Sequence, residues 1–409
     1  MPITITTEIL GAPPKLSQII SDAELSTSWI RGGDGLVGFG NYASTTVTGK
    51  NRFLDARNWW REELAKFSIK NNVHGSGTGP ILFGSFSFLE DGKSELIIPE
   101  IIVGQKNGKS WITWVGDRPQ PGISQLIAEK STGTISWSDG SISNDDWQHR
   151  VADAVARIKN GDLDKVVLAR DINAASTTEL SRRALIQRLE AEYPSTWIFL
   201  VANLLGATPE LLVRLSKSLV TSRVLAGTIR KTHDEQKDFA LAASLAKSSK
   251  DLEEHEYAVR SVADVLSPFC SSINVPDSPF VLHLSNVMHL ATDVTGVVNE
   301  SAVPVDIFTI MANLHPSAAV CGTPTKTAEA LIVEIEGMDR SRYAGPVGWI
   351  DARGDGEMGI ALRCGEISAD KKEIRLFAGC GIVAGSDPIQ ELAESQSKLL
   401  PMRNALETI

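Results

Sequence analysis

The sequence predicts an α+β fold, in which hairpins of antiparallel strands are separated by helices. Two segments have hairpin patterns: Leu96 to Val115, which turns at Asn107-Gly108, and Ala344 to Ile367, which turns near Gly354 to Gly356. Such hairpins favour α+β over a doubly wound sheet, because strands of the latter run parallel. No short repeat, low-complexity run or linker divides the 409 residues, so we expect one domain over residues 1–409.

The first 140 residues are expected to form strands and turns around one helix. That helix covers Arg52 to Lys70, where apolar residues recur on one side among charged ones. Pro80 to Leu89 has the composition of a strand. The run Gly75 to Gly79 lacks the Lys-Ser/Thr of a phosphate-binding loop and precedes a strand, which predicts a plain loop.

Helices and strands are predicted to follow one another from residue 144 onward. Asn144 to Lys159 carries an apolar stripe and ends at Asn160-Gly161, as a helix does. The other predicted helices are Asp234–Phe269, Val305–Asn313, one from Pro324 capped by Thr323, and one from Pro388 with Asp387 as its cap and Gln390 completing a capping box. The other predicted strands are Leu163–Arg170, Ser195–Leu205, Ser218–Ala226, Val281–Val298 and Glu373–Val383.

Composition excludes several classes of protein. The formal net charge of -10 argues against a general nucleic-acid binder, because no basic face is available for phosphates. The four cysteines lack C-x-x-C spacing, which indicates neither a disulfide framework nor a zinc site. The amino-terminal residues have no signal-peptide pattern, and no apolar stretch approaches the length of a membrane span. We therefore expect a soluble, cytoplasmic protein without membrane contact.

Several charged residues admit more than one interpretation. Glu391, Glu394 and Lys398 follow at spacings of three and four, so two carboxylates and one ammonium share a helix face. Alone, such a face is more typical of a solvated surface with an incidental ion pair. Lys165 at a strand end could reach solvent, and a histidine in an apolar strand, as His289 is, more often belongs to the core than to a ligand site.

Together, the motifs of the second half resemble the chorismate-utilising enzymes, and among them the isochorismate synthases. They occur in family order from about residue 163 to the end, whereas the first 140 residues match loosely. The matching segments are Leu163–Arg170, Leu205–Leu212, Leu225–Thr228, Lys250–His255, Met288–Thr292, Leu314–Pro324, Tyr343–Trp349, Leu362–Cys364, Phe377–Val383 and Glu391–Glu394. The resemblance implies two large antiparallel sheets packed face to face, with residues 1–140 as the amino-terminal half and 144–409 as the catalytic segment.

The resemblance also implies a Mg²⁺ ion and its ligands. Glu254 and Glu394 resemble the family's metal carboxylates, and Glu391 would contact the ion directly or through water. Oxygen ligands suit this hard cation, which would hold the ring carboxylate of chorismate. Because Glu253 adjoins Glu254, the sequence leaves open which of the two faces the metal.

Lys165 resembles the base that activates water for attack at C2 of chorismate, and Glu210 resembles the acid that protonates the departing C4 hydroxyl. A lysine base must be neutral, which burial or nearby cations favour, whereas the carboxylic acid has to keep its proton in apolar surroundings. The residues that resemble the family's substrate-binding set are Gly227, Thr228, His289, Tyr343, Arg363, Gly379, Gly381 and Lys398.

Two positions separate branches of the resembled family. Anthranilate synthases carry glutamine where Lys165 stands, and aminodeoxychorismate synthases tend to carry lysine where Ala226 stands. We therefore expect water as the nucleophile, a monomer, and no glutamine amidotransferase subunit. A salicylate synthase, which also eliminates pyruvate, stays an alternative, as does a non-catalytic chorismate-binding homologue. Menaquinone synthesis is favoured over a siderophore pathway because no siderophore-specific feature is visible.

Several positions depart from the usual residues of the resembled family. Ser395 replaces threonine, Cys380 replaces alanine, and Ser317-Ala318 replaces Thr-Pro in a loop expected beside the substrate ring. None of these changes removes a proposed catalytic side chain.

Overall fold

The structure, a computed structural model, describes residues 2–11, 15–117, 133–232, 234–299 and 305–407, without the side chains of Lys250 and Glu254. The strands are β1 (Ile3–Leu10), β2 (Ser26–Arg31), β3 (Asp34–Phe39), β4 (Ala43–Val47), β5 (Phe67–Asn71), β6 (Ile81–Ser85), β7 (Ser94–Ile98), β8 (Ile101–Lys106), β9 (Lys109–Val115), β10 (Ile135–Asp139), β11 (Lys165–Ser176), β12 (Trp197–Val201), β13 (Leu204–Thr208), β14 (Leu211–Ser216), β15 (Leu219–Arg230), β16 (Cys270–Asn274), β17 (Phe280–His283), β18 (Val287–Val298), β19 (Gly322–Thr323), β20 (Pro346–Asp351), β21 (Gly356–Ile360), β22 (Cys364–Ile367) and β23 (Glu373–Ile382). The helices are α1 (Arg52–Ala65), α2 (Asn144–Lys159), α3 (Arg182–Glu192), α4 (Glu235–Leu245), α5 (Ser249–Leu266), α6 (Ile307–Leu314), α7 (Thr325–Ile335) and α8 (Pro388–Glu407).

The strands form two sheets. The first sheet has the order β10-β11-β23-β22-β13-β12-β2-β3-β8-β9-β1-β5, with β19 beside β11. The second has the order β16-β18-β15-β14-β21-β20-β6-β7-β4, with β17 beside β18. Among the described strands, neighbours run antiparallel apart from β1 and β5, which run parallel. The predicted α+β class with two antiparallel sheets is confirmed.

A hydrophobic core fills the space between the two sheets. Trp29 and Phe199 from the first sheet and Phe83 and Trp349 from the second belong to one buried cluster. The indole N–H of Trp29 donates to Oε2 of Glu357 in β21 at 2.9 Å, which links the sheets directly. Fully burying an aromatic side chain of this kind stabilises the fold by about 3 kcal/mol, so the cluster holds the sheets face to face.

Helices cover the outer faces of both sheets. Leu189 of α3 and Met402 of α8 pack with Ile198 of β12 on the outside of the first sheet. Leu245 of α4 packs with Met288 of β18 on the outside of the second. No helix in the described ranges combines the length and apolar character required to cross a membrane.

Elements with strong local signals have their predicted bounds. Helix α2 covers Asn144–Lys159, and its cap Ser143 accepts a hydrogen bond from the amide of Asp146. Helix α8 begins at Pro388, where Oδ1 of Asp387 accepts from the amides of Ile389 and Gln390. Capping satisfies amides that have no partner within the helix.

Several predicted elements are interrupted in the structure. The helix predicted over Arg52–Lys70 ends at Ala65, because Phe67–Asn71 pairs with β1 as strand β5. The predicted strand Ser195–Leu205 is the hairpin of β12 and β13, which turns at Ala202-Asn203 with positive φ at both residues. The predicted helix Asp234–Phe269 is two helices, α4 and α5, the second capped by Ser248.

Smaller corrections concern strand ends, caps and one helix. The predicted strand Val281–Val298 is the hairpin of β17 and β18, and β15 continues to Arg230 beyond its predicted end. Thr323 lies in β19, so it does not cap α7, whose N-cap position is Pro324. Helix α3 was not predicted; Ser181 caps it by accepting from the amide of Ala184.

The hairpin predicted from Ala344 to Ile367 is wrong in its second half. Strands β20 and β21 pair in the second sheet, but β22 pairs with β13 and β23 in the first. The chain therefore crosses from one sheet to the other at residues 361–363. Arg363 has a φ of 50°, a left-handed conformation that is uncommon without glycine, and its carbonyl accepts from the amide of Ala207. A second crossing, at residues 209–210, joins β13 to β14.

Candidate active site

A cavity of about 400 Å³ lies beside both crossings. Every predicted site residue whose side chain is described lines it: Lys165, Glu210, Gly227, Thr228, His289, Tyr343, Arg363, Gly379, Gly381, Glu391, Glu394 and Lys398. The side chain of Glu254 falls outside the described part of the chain, although its backbone belongs to α5. The charged face of α8 is therefore a cavity wall, and the interpretation as a solvated surface is wrong.

Two glycines of β23 leave room for cavity side chains. A Cβ atom added to Gly381 would lie 2.9 Å from Cε of Lys165, and one added to Gly379 would lie 3.0 Å from the hydroxyl oxygen of Tyr343. Contacts this close force a neighbour to move, so any larger residue would displace the lysine or the tyrosine. The tyrosine ring is itself held by stacking on Phe377, with centroids 5.2 Å apart.

Glu210 lies at the crossing between β13 and β14 and is buried. Its amide donates to Oγ1 of Thr208, and its carbonyl accepts from the amide of Ile360. Burial raises the pKa of the carboxyl to about 8, although the charges of Lys165, Arg363 and Lys398 oppose the shift. The group therefore keeps its proton at neutral pH and can donate it inside the cavity.

His289 is held as a neutral imidazole by its surroundings. Its Nδ1 lies 2.9 Å from Oγ1 of Thr228, which follows a bulge at Gly227 in β15. Burial lowers the pKa of His289 to about 3, and the charges of Arg363 and Lys398 act in the same direction. Nε2 is buried and has no hydrogen-bond partner among the described residues, so it is available to a ligand.

Two partly buried cations make the cavity suited to an anion. Nζ of Lys398 donates to the carbonyl of Gly379 at 2.8 Å and lies 2.6 Å from Oε1 of Glu394. Burial disfavours this charge, yet the acidic groups of Cys380 and Glu394 raise the pKa of Lys398. Burial lowers the pKa of the Arg363 guanidinium from its high ordinary value, and guanidinium groups remain charged in proteins.

Glu391 and Glu394 form the part of the cavity that could hold a metal ion. Their carboxylate oxygens and Sγ of Cys380 all lie within 4.8 Å of one another. Burial raises the pKa of Glu391, and the charge of Glu394 adds to this. The pKa of Glu394 is lowered despite burial, chiefly by Lys398. The two carboxylates fit a hard cation.

Cys380 does not belong to that oxygen donor set. Its thiol donates to the carbonyl of Glu391 at 3.4 Å, and burial raises its pKa above the ordinary range for a thiol. A protonated thiol is a poor ligand for a hard cation.

Comparison with known families shows where the chain belongs. The model of the family described as chorismate binding enzyme matches residues 26–407. The chain is a chorismate-binding enzyme. This confirms the resemblance found in the sequence motifs.

Three relatives illustrate the membership of this chorismate-binding enzyme. Isochorismate synthase MenF of Bacillus subtilis is 31% identical over 405 residues, which cover 91% of this chain and 85% of the relative. The structure of a putative 2,3-dihydroxybenzoate-specific isochorismate synthase, DhbC of Bacillus anthracis, matches with a TM-score of 0.79 and 29% identity, covering 96% of this chain and 98% of that one. The structure of MenF, the menaquinone-specific isochorismate synthase of Escherichia coli, has the same fold, with a TM-score of 0.81 and 24% identity. The match covers 99% of this chain and 94% of that one.

Sequence reasoning missed residues that line or support the cavity of the chorismate-binding enzyme. Asp251 and Arg340 line it, and Glu336 pairs with Arg340 beneath its wall. The spacing of four between Glu336 and Arg340 is an ion-pair spacing and could have indicated the pair. Ala319 and Val320 contribute to the cavity wall, next to the unusual Ser317-Ala318.

Proposed function

We propose that this chorismate-binding enzyme is an isochorismate synthase. It would convert chorismate to isochorismate by adding water at C2 and releasing the C4 hydroxyl. The observation that supports the proposal most strongly is the pairing, in one cavity, of Lys165 with a buried carboxylic acid, Glu210, that is protonated at neutral pH. The name of the Bacillus subtilis relative, which matches 91% of the chain, agrees with this activity.

Glu210 acts as the general acid in this proposal. Departure of hydroxide from C4 is slow in water, and transfer of a proton to the leaving oxygen makes it leave as water. A carboxyl whose pKa is about 8 holds that proton at neutral pH and still releases it readily to an oxygen that gains negative charge. Its burial between the two sheets also keeps bulk water away from the proton.

Lys165 acts as the general base. The water loses a proton to the amine, and its oxygen forms the bond to C2. Both ring double bonds shift as the C4–O bond breaks, and the leaving oxygen takes the proton of Glu210. One water enters and one leaves, so the reaction needs no oxidant or reductant. Gly381 supports this role because its lack of a side chain leaves the space that Lys165 occupies.

The cations and neutral donors of the cavity bind and orient the substrate. Chorismate carries two carboxylates, and we assign the enolpyruvyl carboxylate to Arg363 and Lys398, with the hydroxyl of Tyr343 and amides near Gly379 and Gly381. Burial raises the pKa of Tyr343, so its hydroxyl stays a neutral donor. Neutral His289 offers Nε2 to the ring region without adding charge.

We propose Mg²⁺ as the cofactor, held by Glu391 and Glu394 together with Glu254. Their oxygen donors suit this ion. Burial, with a smaller contribution from the charge of Glu394, raises the pKa of Glu391, and a cation would favour its charged form. When bound, the ion would supply positive charge for the ring carboxylate.

The biological setting belongs to the same proposal. We assign the enzyme to menaquinone synthesis, because the Bacillus subtilis relative shares the name MenF with the menaquinone-specific enzyme of Escherichia coli. We propose that it acts in the cytoplasm as a monomer on chorismate. It needs no amidotransferase subunit, because Lys165 activates water and ammonia is not required.

Product analysis tests the proposed function. The purified protein is incubated with chorismate and Mg²⁺, and the products are separated by chromatography and identified by NMR. We expect isochorismate without stoichiometric pyruvate. Salicylate with an equal amount of pyruvate would instead identify a salicylate synthase, and chorismate binding without turnover would identify a non-catalytic homologue.

A further inference from the structure

Strand β11, which begins at Lys165, lacks a strand partner along part of one edge. On one side it pairs with β23 over residues 166–175. On the other side β10 reaches only residues 172–176, and β19 reaches only residues 165–166. The edge formed by Val167 and Ala169 therefore needs other hydrogen-bond partners, because buried backbone groups without partners are costly.

A buried ion pair supplies two of these partners. The carbonyl of Val167 accepts from Nη2 of Arg340 at 2.7 Å, and the amide of Ala169 donates to Oε2 of Glu336 at 2.8 Å. The pair itself is bidentate, with Nε donating to Oε1 at 2.7 Å and Nη2 to Oε2 at 2.5 Å. Both side chains are at most 2% exposed. Glu336 and Arg340 thus take the place of a neighbouring strand beside the first residues of β11, the strand that begins at Lys165.

Arg340 also connects this strand to two other parts of the cavity wall. Its Nη1 donates to the carbonyl of Val320 at 2.9 Å, and its own carbonyl accepts from the amide of Tyr343 at 2.9 Å. The guanidinium lies 4.2 Å from the ring centre of Phe88, which fixes its plane. The side chain of Arg340 therefore links Val320 to the start of β11, and its backbone links the same residue to Tyr343.

We infer that Glu336 and Arg340 are positioning residues that place Lys165 to remove a proton from the attacking water. This inference rests on the proposed function, since it assigns the pair a task in that reaction. The two cations assigned to the substrate carboxylate lie elsewhere, Arg363 at the sheet crossing and Lys398 on α8. The side chains of the pair bind the backbone of β11 directly, so their loss acts first on the strand that carries Lys165. A displacement of about 1 Å at a reacting group lowers the rate by roughly 100-fold, so loosening β11 reduces kcat more than substrate affinity.

Arg340→Lys tests this with Arg342→Lys as a matched control. Arg342 is equally buried and also binds two carbonyls and a glutamate, but it donates to Val201 and Ala202 of the β12–β13 turn and to Glu366. Lysine keeps the charge and loses the planar fork of donors in both variants. We expect kcat to fall at least about 10-fold in Arg340→Lys, with KM for chorismate within about threefold, whereas kcat of Arg342→Lys stays within about threefold of wild type.

A second variant and a second measurement keep the test decisive. Glu336→Gln retains an acceptor for the amide of Ala169 and is expected to fold if Arg340→Lys does not. Hydrogen exchange of the backbone across residues 165–169 is expected to accelerate in both variants and not in Arg342→Lys. Wild-type exchange rates and kcat in both variants would overturn the inference, as would equal losses in Arg342→Lys. Failure of the wild-type protein to make isochorismate would instead overturn the proposed function, and the exchange measurement would still report on the pair.

Discussion

Lys398 and Glu394 form an ion pair on the cavity wall, with 2.6 Å between Nζ and Oε1. The two residues are one turn apart on α8, and the same ammonium also donates to the carbonyl of Gly379. A cation bound to Glu394 would compete with Lys398 for this carboxylate. The lysine therefore stabilises the charge of a proposed metal ligand, and it would become available to a substrate carboxylate if a metal ion replaced it.

Lys398→Gln is expected to have opposite effects on the two ligands. Mg²⁺ should bind a few-fold more tightly in the absence of chorismate, because the competing ammonium is gone, whereas KM for chorismate should rise at least about 10-fold through loss of a charged partner. Titration calorimetry with Mg²⁺ and steady-state kinetics measure the two effects. Weaker Mg²⁺ binding in the variant would show that the lysine does not compete with the ion.

Lys165→Ala is expected to abolish turnover without unfolding the protein. Loss of a general base typically costs about 100-fold or more in rate. Lys165→Arg should be equally inactive, because a guanidinium does not give up its proton and so cannot act as a base. Thermal unfolding followed by circular dichroism serves as the control for folding. Normal turnover in either variant would exclude Lys165 as the base.

The pH dependence of the rate should reveal the protonation state of the Glu210 carboxyl. The acid works in its protonated form, so Glu210 should make kcat/KM fall as the pH rises through its pKa of about 8. Protonation of the base sets the acidic side of the profile. His289, with a pKa of about 3, should add no change of rate near neutral pH. Glu210→Gln should lose at least about 100-fold in kcat. A rate that stays constant well above the expected pKa would contradict the role of Glu210 as the acid.

Thr228→Val tests whether the hydroxyl at Nδ1 orients His289. Removing it leaves a buried imidazole nitrogen without its partner, which costs about 1–3 kcal/mol. We expect a lower unfolding temperature and a several-fold lower kcat, measured by calorimetry and steady-state kinetics. Thr228→Ser keeps the hydroxyl and is the control, so it should behave as wild type. Equal behaviour of the two variants would argue against this orienting role.

The sequence predicted those features of the fold that depend on contacts between residues close together in the chain. The caps of α2 and α8 are formed by residues within one turn, so their start points could be predicted from the sequence. The change of sheet before β22 could not be predicted from the sequence, because Leu362 to Cys364 has an ordinary strand composition. It depends on the close approach of Cys364 to Gly206, where an added Cβ would lie 2.5 Å from that of the cysteine.

In the site, too, sequence motifs predicted some residues, whereas residues whose role depends on tertiary contacts were missed. Family motifs predicted which residues would meet in the cavity, although their individual roles, and the assignment of residues 1–409 to one domain, stay predictions. Glu336 and Arg340 were missed because their importance depends on the open edge of β11, which exists only once β10 and β19 stop short of it. The pKa of Glu210 likewise depends on burial at a crossing between sheets that the sequence did not predict.

The most direct test of the account follows the oxygen of the attacking water. Chorismate is converted in water labelled with the heavy oxygen isotope, in the presence of Mg²⁺, and the first product formed is examined by mass spectrometry and NMR. The account predicts isochorismate with one labelled oxygen at C2 and no accompanying pyruvate. Isochorismate without label at C2, or salicylate and pyruvate as the first products, would contradict it.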